Sequence, residues 1–339
     1  MKNHFRKVFV EEKDPFSLIL GQERAKNEIK GALLMGRHII IIGPPGVGKT
    51  TIAKSIANLL PEIKLLDCSY HCSPDNPVCP ACLTKKPKIK VFKGKDRFVR
   101  VQGSPDLTAE DLLGDIDPAA ALKFGPQSIE AFSPGKIFKA NQGVLFFDEL
   151  NRCPEKIQNS LLQVLEEGTV TIGPYSVDFP ANFLFISTMN PEETAATEKL
   201  SDVFLDRFDV VHMSYPENTG IEKEIVLEKA ETLDIQFPEP LLVAAIDFVR
   251  LVRDHKDVLK KPGVRASMGL FERAQANAFL SGRKKVSADD VAEAVISVLS
   301  HRIELKPSVK YLQSVEEFLA SLFNTFSKSQ PALHGGGGL

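Results

Sequence analysis

Short apolar runs alternate with helical stretches between residues 37 and 213. The runs at His38–Ile42, 98–101, 143–147 and 183–187 are typical of buried parallel strands. Amphipathic segments separate them, and the first of these, residues 51–60, directly follows a glycine-rich turn. Strands separated by helices indicate a parallel sheet with crossover helices, and ligands bind at the carboxyl ends of such strands.

Beyond about residue 214 the strand signal disappears and helical periodicity replaces it. The pattern predicts helices at 220–233, Glu239–Asp254, 266–279, 288–302 and 308–327. We therefore predict an α/β domain over residues 1–213, an all-helical domain over 214–328 and a flexible tail over 329–339, which includes glycines at 335–338.

The turn after the first apolar run has the pattern of a phosphate-binding loop, G-x-x-x-x-G-K-[ST]. It comprises Gly43, Pro44, Pro45, Gly46, Val47, Gly48, Lys49 and Thr50, and the helix continues from Thr51. Its glycines let backbone N–H groups converge on a phosphate, and the helix N-terminus adds the positive end of its dipole. Lys49 is expected to reach the outer phosphates and Thr50 to hold Mg²⁺. The alternative is an ordinary strand-to-helix turn.

Two further strands end in polar residues that suit phosphoryl transfer. The run Leu145-Phe146-Phe147 ends in Asp148 and Glu149. A first carboxylate in this position would hold the Mg²⁺ shell, and a second would polarise the attacking water. Asn190 follows another apolar strand, where it could hydrogen-bond the γ-phosphate or that water. The alternatives are a polar start to a loop and a turn residue before proline.

Composition indicates a soluble globular protein of two domains. The chain has 339 residues, of which 43% are hydrophobic and 25% charged, and its net charge is −2. This balance gives no global field for nucleic acid or a membrane surface. The first residues contain no apolar signal region, so we expect a cytoplasmic protein. In a reducing compartment, five cysteines favour metal binding or free thiols over disulfides.

Four of these cysteines form a cluster with metal-ligand spacing. Cys68, Cys72, Cys79 and Cys82 lie within one short stretch, and four thiolates suit a tetrahedral Zn²⁺ ion. We expect structural zinc here. Redox-responsive thiols and an iron–sulfur cluster remain open, as does substitution of His71 for one thiolate. Cys153 stands alone and is interpreted as a core thiol.

A lysine-rich run follows the cysteine cluster at residues 85–95. Beside a metal knuckle, such a run could bind nucleic acid. Its alternation of Lys with apolar residues also fits a solvated edge ribbon, whose lysines discourage unwanted strand pairing. We favour the edge ribbon.

Taken together, these residues resemble the AAA+ ATPases, and within them the ATPase subunit of magnesium chelatase and its MoxR relatives. The resemblance spans residues 15–305 and is closest in 132–149, in Thr188-Met189-Asn190-Pro191-Glu192-Glu193 and in Leu205-Asp206-Arg207-Phe208. Asn151-Arg152 and the segment 170–173 resemble MoxR proteins more closely. The implied fold is a P-loop NTPase sheet with a helical lid. The implied insertions are a Cys-rich one at 67–96 and a hairpin at 115–140 that faces the ring pore or a client.

The resemblance also implies roles for individual residues. Gly21 and Gln22 match the segment that lines the adenine pocket, and Asn190 matches the first sensor. Arg207 matches the arginine finger, which reaches the γ-phosphate of the neighbouring subunit, and Arg265 matches the second sensor. Each arginine has the alternative of a surface salt bridge.

The expected function is Mg²⁺-dependent ATP hydrolysis by a homo-oligomeric ring of about six subunits that remodels a partner protein. The resemblance implies that the partner is a chelatase subunit or a separate protein with a von Willebrand factor A-type domain. A nucleic-acid motor is the alternative, and the lysine-rich run is its only support. A non-hydrolysing nucleotide switch is disfavoured because Glu149, Asn190 and Arg207 are all present.

Overall fold

The computed structural model describes residues 2–12, 14–85, 87–171, 178–191 and 200–333. Predictions that concern Lys86, Ile172, Gly173, Glu192, Glu193 and the glycine tail lie outside these residues. The contacts divide the chain into two compact units. The first comprises Met1–Gly43 and Gly48–Met213, and the second comprises Pro44–Val47 and Ser214–Leu339.

The first unit contains a parallel sheet with helices along the chain between its strands. Its strands are β1 (His38–Ile42), β2 (Ile63–Leu66), β3 (Ile89–Phe92), β4 (Phe98–Gln102), β5 (Gly114–Ile116), β6 (Phe132–Pro134), β7 (Val144–Asp148), β8 (Thr169–Thr171), β9 (Asp178–Pro180), β10 (Leu184–Met189) and β11 (Phe208–His212). Its helices are α1 (Lys2–Glu11), α2 (Glu23–Met35), α3 (Lys49–Asn58), α4 (Pro80–Lys85), α5 (Ala109–Leu113), α6 (Pro118–Phe124), α7 (Lys136–Lys139), α8 (Glu155–Glu167) and α9 (Asp202–Leu205).

The main sheet has the order β11-β1-β10-β7-β4, and every pairing in it is parallel. Its central strands are apolar on both faces because helices and loops cover both. Ile39, Ile40 and Ile41 of β1 and Val144 to Phe147 of β7 are all fully buried. The predicted parallel P-loop sheet is therefore confirmed.

Short antiparallel pairs lie outside the main sheet. Strand β2, directly before the Cys-rich segment, pairs with β3 inside it, so the lysine-rich run does contain one strand of a two-stranded ribbon. At the segment 115–140, β5 pairs with β6, and α6 lies between them along the chain. Further along the chain, β8 pairs with β9. Two-stranded ribbons are marginal alone, so each depends on packing against the rest of the unit.

The second unit is mainly helical, with α10 (Thr219–Lys229), α11 (Glu239–Asp254), α12 (Val264–Leu280), α13 (Ala288–Leu299), α14 (Pro307–Lys310) and α15 (Val315–Ser327). Helices α11, α12, α13 and α15 surround a core that contains Phe248, Ala274 and Val295. A short antiparallel pair, β12 (Val258–Lys260) with β13 (Glu304–Leu305), was not anticipated because strands this short carry no periodicity.

The prediction of one continuous helix over 308–327 is wrong. The chain forms a short helix that starts with Pro307 and a separate helix from Val315. Ser314 caps the second helix, because its hydroxyl accepts a hydrogen bond from the N–H of Glu317 at 3.1 Å and the Glu317 carboxylate accepts the N–H of Ser314 at 2.8 Å. This capping box restarts the helix. No helix in the described part of the chain is long and apolar enough to cross a membrane.

Candidate functional site

The glycine loop joins β1 to α3, as the sequence predicts. Gly48 caps α3 with φ of 96°, a left-handed conformation that side-chain-bearing residues rarely adopt. The Nζ of Lys49, the first residue of the helix, donates a hydrogen bond to the carbonyl oxygen of Gly43. Thr50 follows in the first turn of α3, where backbone N–H groups have no partner within the helix. The segment has the features of an anion site at a helix N-terminus.

Strand order brings the predicted polar residues to one edge of the sheet. Strand β10 pairs with both β1 and β7, so the carboxyl ends of these three strands are neighbours. The glycine loop follows β1, Asp148 ends β7 and Asn190 directly follows β10. On the far side of β7, Gln102 at the end of β4 lies opposite Asp148. The structure therefore assembles Lys49, Thr50, Asp148, Glu149 and Asn190 at the edge where parallel sheets bind ligands.

A single hydroxyl group fixes the acid pair to the neighbouring strand. Thr188 Oγ1 donates a hydrogen bond to Asp148 Oδ1 at 2.6 Å and accepts one from the backbone N–H of Glu149 at 3.0 Å. Glu149 has φ of 57° and ψ of 54°, which costs a residue with a side chain about 1–3 kcal/mol. Gly103 lies so close that a side-chain carbon there would be 2.0 Å from the Glu149 carbonyl oxygen. Such local strain persists where the surroundings enforce it, and it is typical of functional sites.

Both carboxylates have partners within the chain that sequence analysis did not identify. Arg100 contacts Asp148 Oδ2 at 2.5 Å. Glu149 Oε2 accepts hydrogen bonds from Gln102 Nε2 and from Arg152, each at 3.0 Å. The sequence contains a pattern that could have identified Gln102, because this polar residue ends an apolar strand in the same way as Asp148 does. Arg100 lies two residues earlier on that strand, and side chains two apart share a face.

The remaining predicted residues of the first unit lie on its other elements. Gly21 and Gln22 precede α2, both with positive φ, of 69° and 62°. Arg207, between α9 and β11, donates a hydrogen bond to the Val203 carbonyl oxygen at 2.5 Å and forms an ion pair with Glu166 of α8. Within one chain Arg207 therefore makes the surface salt bridge that was its alternative interpretation.

Arg265 lies in the second unit, in the first turn of α12. This turn contains no acidic residue, so the helix N-terminus offers the arginine no compensating charge. Burial lowers the pKa of Arg302, the nearby charge of Glu272 opposes this shift, and the charge of Arg265 adds to it. Arg265 is exposed, so its guanidinium is accessible to a ligand.

The four clustered cysteines converge on one point in the first unit. Their sulfur atoms all lie within 4.8 Å of one another, and Cys72, Cys79 and Cys82 are buried. A tetrahedral zinc site with Zn–S bonds of about 2.3 Å needs sulfur–sulfur distances of roughly 3.8 Å, so small shifts would complete it. The group contains the four thiols without His71, and all five cysteines of the chain are free thiols.

Hydrogen bonding among the thiols favours one thiolate in the cluster. The pKa of Cys68 lies far below its ordinary value, because its sulfur accepts hydrogen bonds from Cys72 and Cys79. Its sulfur also accepts the backbone N–H of Cys72 at 3.3 Å. The pKa of Cys79 is raised by its bonds to Cys68, and burial raises that of Cys82 to about 12. A bound metal cation would stabilise four thiolates at this distance, since thiols that coordinate a metal are deprotonated. Cys153, by contrast, is fully buried in the core.

The fold and the site together define an ATPase of the AAA+ class. A glycine loop on β1 and an acid pair on β7 flank β10 in a parallel sheet. The sequence models of the families support this class. The ATPase family associated with various cellular activities matches residues 84–210, the AAA lid domain matches 259–319, and magnesium chelatase subunit ChlI matches 15–70.

Relatives narrow the class to one family. The magnesium-chelatase subunit ChlI-2 of Arabidopsis thaliana is 30% identical over 330 residues, which cover 86% of this chain and 76% of that protein. The magnesium-chelatase subunit ChlI homolog of Methanocaldococcus jannaschii is 28% identical, and the match covers 93% of this chain and 92% of that protein. The chain therefore belongs to the magnesium-chelatase subunit ChlI family of AAA+ ATPases. A solved complex between subunits BchI and BchD of magnesium chelatase shares the fold, with a TM-score of 0.51 and 24% identity. The match covers 90% of this chain and 98% of that chain.

The Arg100–Asp148 pair generates a prediction about metal affinity. If Asp148 holds the Mg²⁺ shell, the guanidinium of Arg100 competes with the ion, and Arg100→Gln removes the competitor. A half-exposed ion pair contributes about 0.2–1 kcal/mol, so the Mg²⁺ concentration for half-maximal binding of a fluorescent ATP analogue should fall by up to about fivefold.

Arg37→Gln is the matched control for this measurement. Arg37 pairs with Asp209 at the same distance, 2.5 Å, and its side chain has a similar exposed fraction, 47% against 51% for Arg100. It precedes β1, at the opposite edge of the sheet from the acid pair. An unchanged or higher Mg²⁺ requirement in Arg100→Gln would show that Arg100 does not compete for this carboxylate.

Proposed function

We propose that this protein hydrolyses ATP to ADP and phosphate in a Mg²⁺-dependent reaction within a ring of identical subunits, and that the ring remodels a chelatase-type partner protein. One observation carries the proposal: the glycine loop, the acid pair and Asn190 follow three adjacent strands at the same edge of the sheet. Phosphoryl transfer needs positioning and charge stabilisation more than covalent chemistry, and this edge offers both.

The roles divide according to chemistry. Lys49 and the loop N–H groups would bind the outer phosphates, and Thr50 and Asp148 would hold Mg²⁺. The ion supplies charge neutralisation on the phosphates. Glu149 would accept a proton from the attacking water, and the strained backbone that Thr188 supports would orient its carboxylate. Asn190 would hydrogen-bond the water or the γ-phosphate, and Arg265 would contact phosphate oxygens. Gly21 and Gln22 would contact the adenine.

Arg207 is proposed to act on the ATP of a neighbouring subunit. In one chain it pairs with Glu166, and the two side chains are 30% and 58% exposed. An ion pair this exposed is weak, so a triphosphate with more negative charge can displace Glu166. Assembly would then be required for activity, because the guanidinium stabilises charge only across a subunit border.

The partner is inferred from the names of the relatives. The solved complex joins BchI to a second chelatase subunit, BchD. We propose a comparable partner here, either a chelatase subunit or a protein with a von Willebrand factor A-type domain, and a ring of about six subunits. The domains are proposed at residues 1–213 and 214–328, with the segment 115–140 facing the pore or the client.

Structural zinc is proposed at Cys68, Cys72, Cys79 and Cys82. The donor set fits, because four mutually close thiols with three of them buried match a closed tetrahedral sulfur site. Asn141, itself buried, anchors the cluster's loop. Its Nδ2 donates to the carbonyl oxygens of Tyr70 and His71, and its Oδ1 accepts the N–H of Asn182 at 3.1 Å. The ion would cross-link a ribbon that is too small to hold its own core.

The glutamate at the end of β7 gives the first functional prediction. Glu149→Gln keeps the shape and the partners of the side chain but removes the base, so turnover should fall by roughly 10²–10⁴-fold. Binding of a fluorescent ATP analogue should stay within about twofold of the wild type, because phosphate and metal ligands are intact. Glu155→Gln, an exposed position at the start of α8, is the control. Residual turnover close to that of the wild type would exclude Glu149 as the base.

Action across a subunit border gives the second prediction. Arg207→Ala should lower turnover about 10³–10⁵-fold. A mixture of Arg207→Ala and Glu149→Gln subunits should regain ATPase activity, because a site with an intact Glu149 can then receive Arg207 from its neighbour. Glu166→Gln should retain turnover. If the mixture stays as inactive as its components although it assembles, Arg207 does not act in trans.

Elemental analysis of the purified protein tests the zinc proposal. About one zinc per chain is expected, and Cys79→Ser should lose it, since a closed site needs all four ligands. Cys153→Ala, a change at a buried thiol outside the cluster, should retain the metal. Protein without metal that reacts fully with thiol reagents, or protein that contains iron with acid-labile sulfide, would contradict the proposal.

A further inference from the structure

The second unit contains a buried carboxylate with an unusually complete set of donors. Glu222 of α10 is fully buried. Its two oxygens accept hydrogen bonds from Arg253 Nη1 at 2.8 Å, Arg253 Nη2 at 2.7 Å, Arg250 Nη1 at 3.2 Å and Ser267 Oγ at 2.5 Å. These donors come from α11 and α12, so one carboxylate joins three helices. We call these four residues the Glu222 cluster.

Folding stability does not by itself explain this cluster. Burial raises the pKa of Glu222, but the hydrogen bonds and charge of Arg253 outweigh it, so the pKa lies below its ordinary value and the group stays ionised. Buried ion pairs are often no more stabilising than apolar residues of the same volume, because desolvation offsets the attraction. What such a network does provide is fixed geometry, since every member has a directional partner.

The geometry that the cluster fixes is the start of α12. Arg253 Nε donates to the carbonyl oxygen of Pro262 at 2.8 Å, and its guanidinium also lies over the Tyr215 ring at 4.6 Å. Ser267, near the start of the same helix, donates a hydrogen bond to the carboxylate of Glu222. Arg265 lies between these two anchors, three residues after Pro262 and two before Ser267. The backbone that carries Arg265 is therefore held on one side by Arg253 and on the other by Glu222, and these two residues bond each other.

The same region contacts part of the glycine loop that belongs to this unit. A side-chain carbon at Gly46 would lie 3.4 Å from Arg265 Cγ, and one at Gly263 would lie 2.6 Å from the Pro45 carbonyl oxygen. Both loop residues fall in Pro44–Val47, which groups with the second unit. Arg265 is thus placed beside a segment whose sequence is that of a phosphate-binding loop.

We infer that the Glu222 cluster is a positioning device for Arg265, which sets the affinity of the protein for the ATP phosphates. This inference rests on the proposed role of Arg265 in nucleotide binding. Glu222, Arg250, Arg253 and Ser267 are positioning residues that act through the backbone of residues 262–267.

A double-mutant cycle on the assembled full-length protein tests the inference. Glu222→Gln is expected to raise the Michaelis constant for ATP roughly tenfold with little change in kcat, comparable with the loss of one charge-assisted hydrogen bond. In an Arg265→Ala background the same substitution should have no further effect on the Michaelis constant, because the residue that it positions is gone. Ser267→Ala, which removes one donor, gives a milder variant if Glu222→Gln folds poorly.

Asp290→Asn separates positioning from general loosening of the unit. Asp290 is also buried, and its carboxylate accepts two hydrogen bonds of 2.5 Å from Arg283. It lies on α13, and its bond to α12 is the one that its backbone carbonyl oxygen accepts from the amide of Asn277, far from Arg265 along that helix. The Asp290→Asn substitution should lower the melting temperature without changing the Michaelis constant for ATP.

The outcomes distinguish the inference from the proposed function. If Glu222→Gln weakens ATP binding equally in the presence and absence of Arg265, or if Asp290→Asn has the same effect, the positioning role is wrong. If Arg265→Ala alone leaves the Michaelis constant unchanged, the proposed role of Arg265 fails instead. An unchanged Michaelis constant in Glu222→Gln and Ser267→Ala, with Arg265→Ala impaired, also overturns the inference.

Discussion

The structure of the first unit depends on the parallel pairing of β10 with both β1 and β7. This pairing fixes the separation of the glycine loop and the acid pair, because one strand lies between them. It also places Thr188 where its hydroxyl joins Asp148 to the backbone of Glu149. The left-handed backbone of Glu149 is tolerated because this hydroxyl and the close approach of Gly103 leave it no alternative. In the proposed role of general base, a carboxylate held in this way would need little reorganisation when substrate binds.

At the edge of the sheet that carries the acid pair, charged side chains form local contacts within the chain. Arg100 and Arg152 contact the two carboxylates, and Lys49 contacts a loop carbonyl. Each of these contacts is partly exposed and individually worth about 1 kcal/mol or less. A bound triphosphate with its metal carries more charge than any of these partners. The charged side chains are therefore paired in ways that a ligand can rearrange at small cost.

The Cys-rich segment and the Glu222 cluster both fix loops that helices and sheets alone would leave loosely held. At the amino-terminal ends of β7 and β10, Asn141 connects the cysteine loop to the residue Asn182, so this segment lies at the edge opposite the acid pair. In the second unit, Glu222 connects three helices at the start of α12. The chemistry differs, with thiols in one case and a buried carboxylate in the other. The physical logic is the same, because directional bonds define loop geometry more sharply than apolar packing does.

The sequence alone determined the parallel sheet, the glycine loop and the acid pair. The reason is that continuous apolar runs such as Ile39–Ile40–Ile41 have a strong local signal, and the loop motif has a fixed spacing. It also predicted the four-cysteine group, which the fold brings together. The tertiary structure decided what local patterns cannot encode. It paired Arg100 with Asp148, forty-eight residues away, and buried Glu222 against Arg253, thirty-one residues away. It also interrupted the last helical stretch at Ser314, where a capping box competes with continued helix. These features arise from contacts between distant segments, and hydrophobic periodicity contains no information about which distant polar groups will meet.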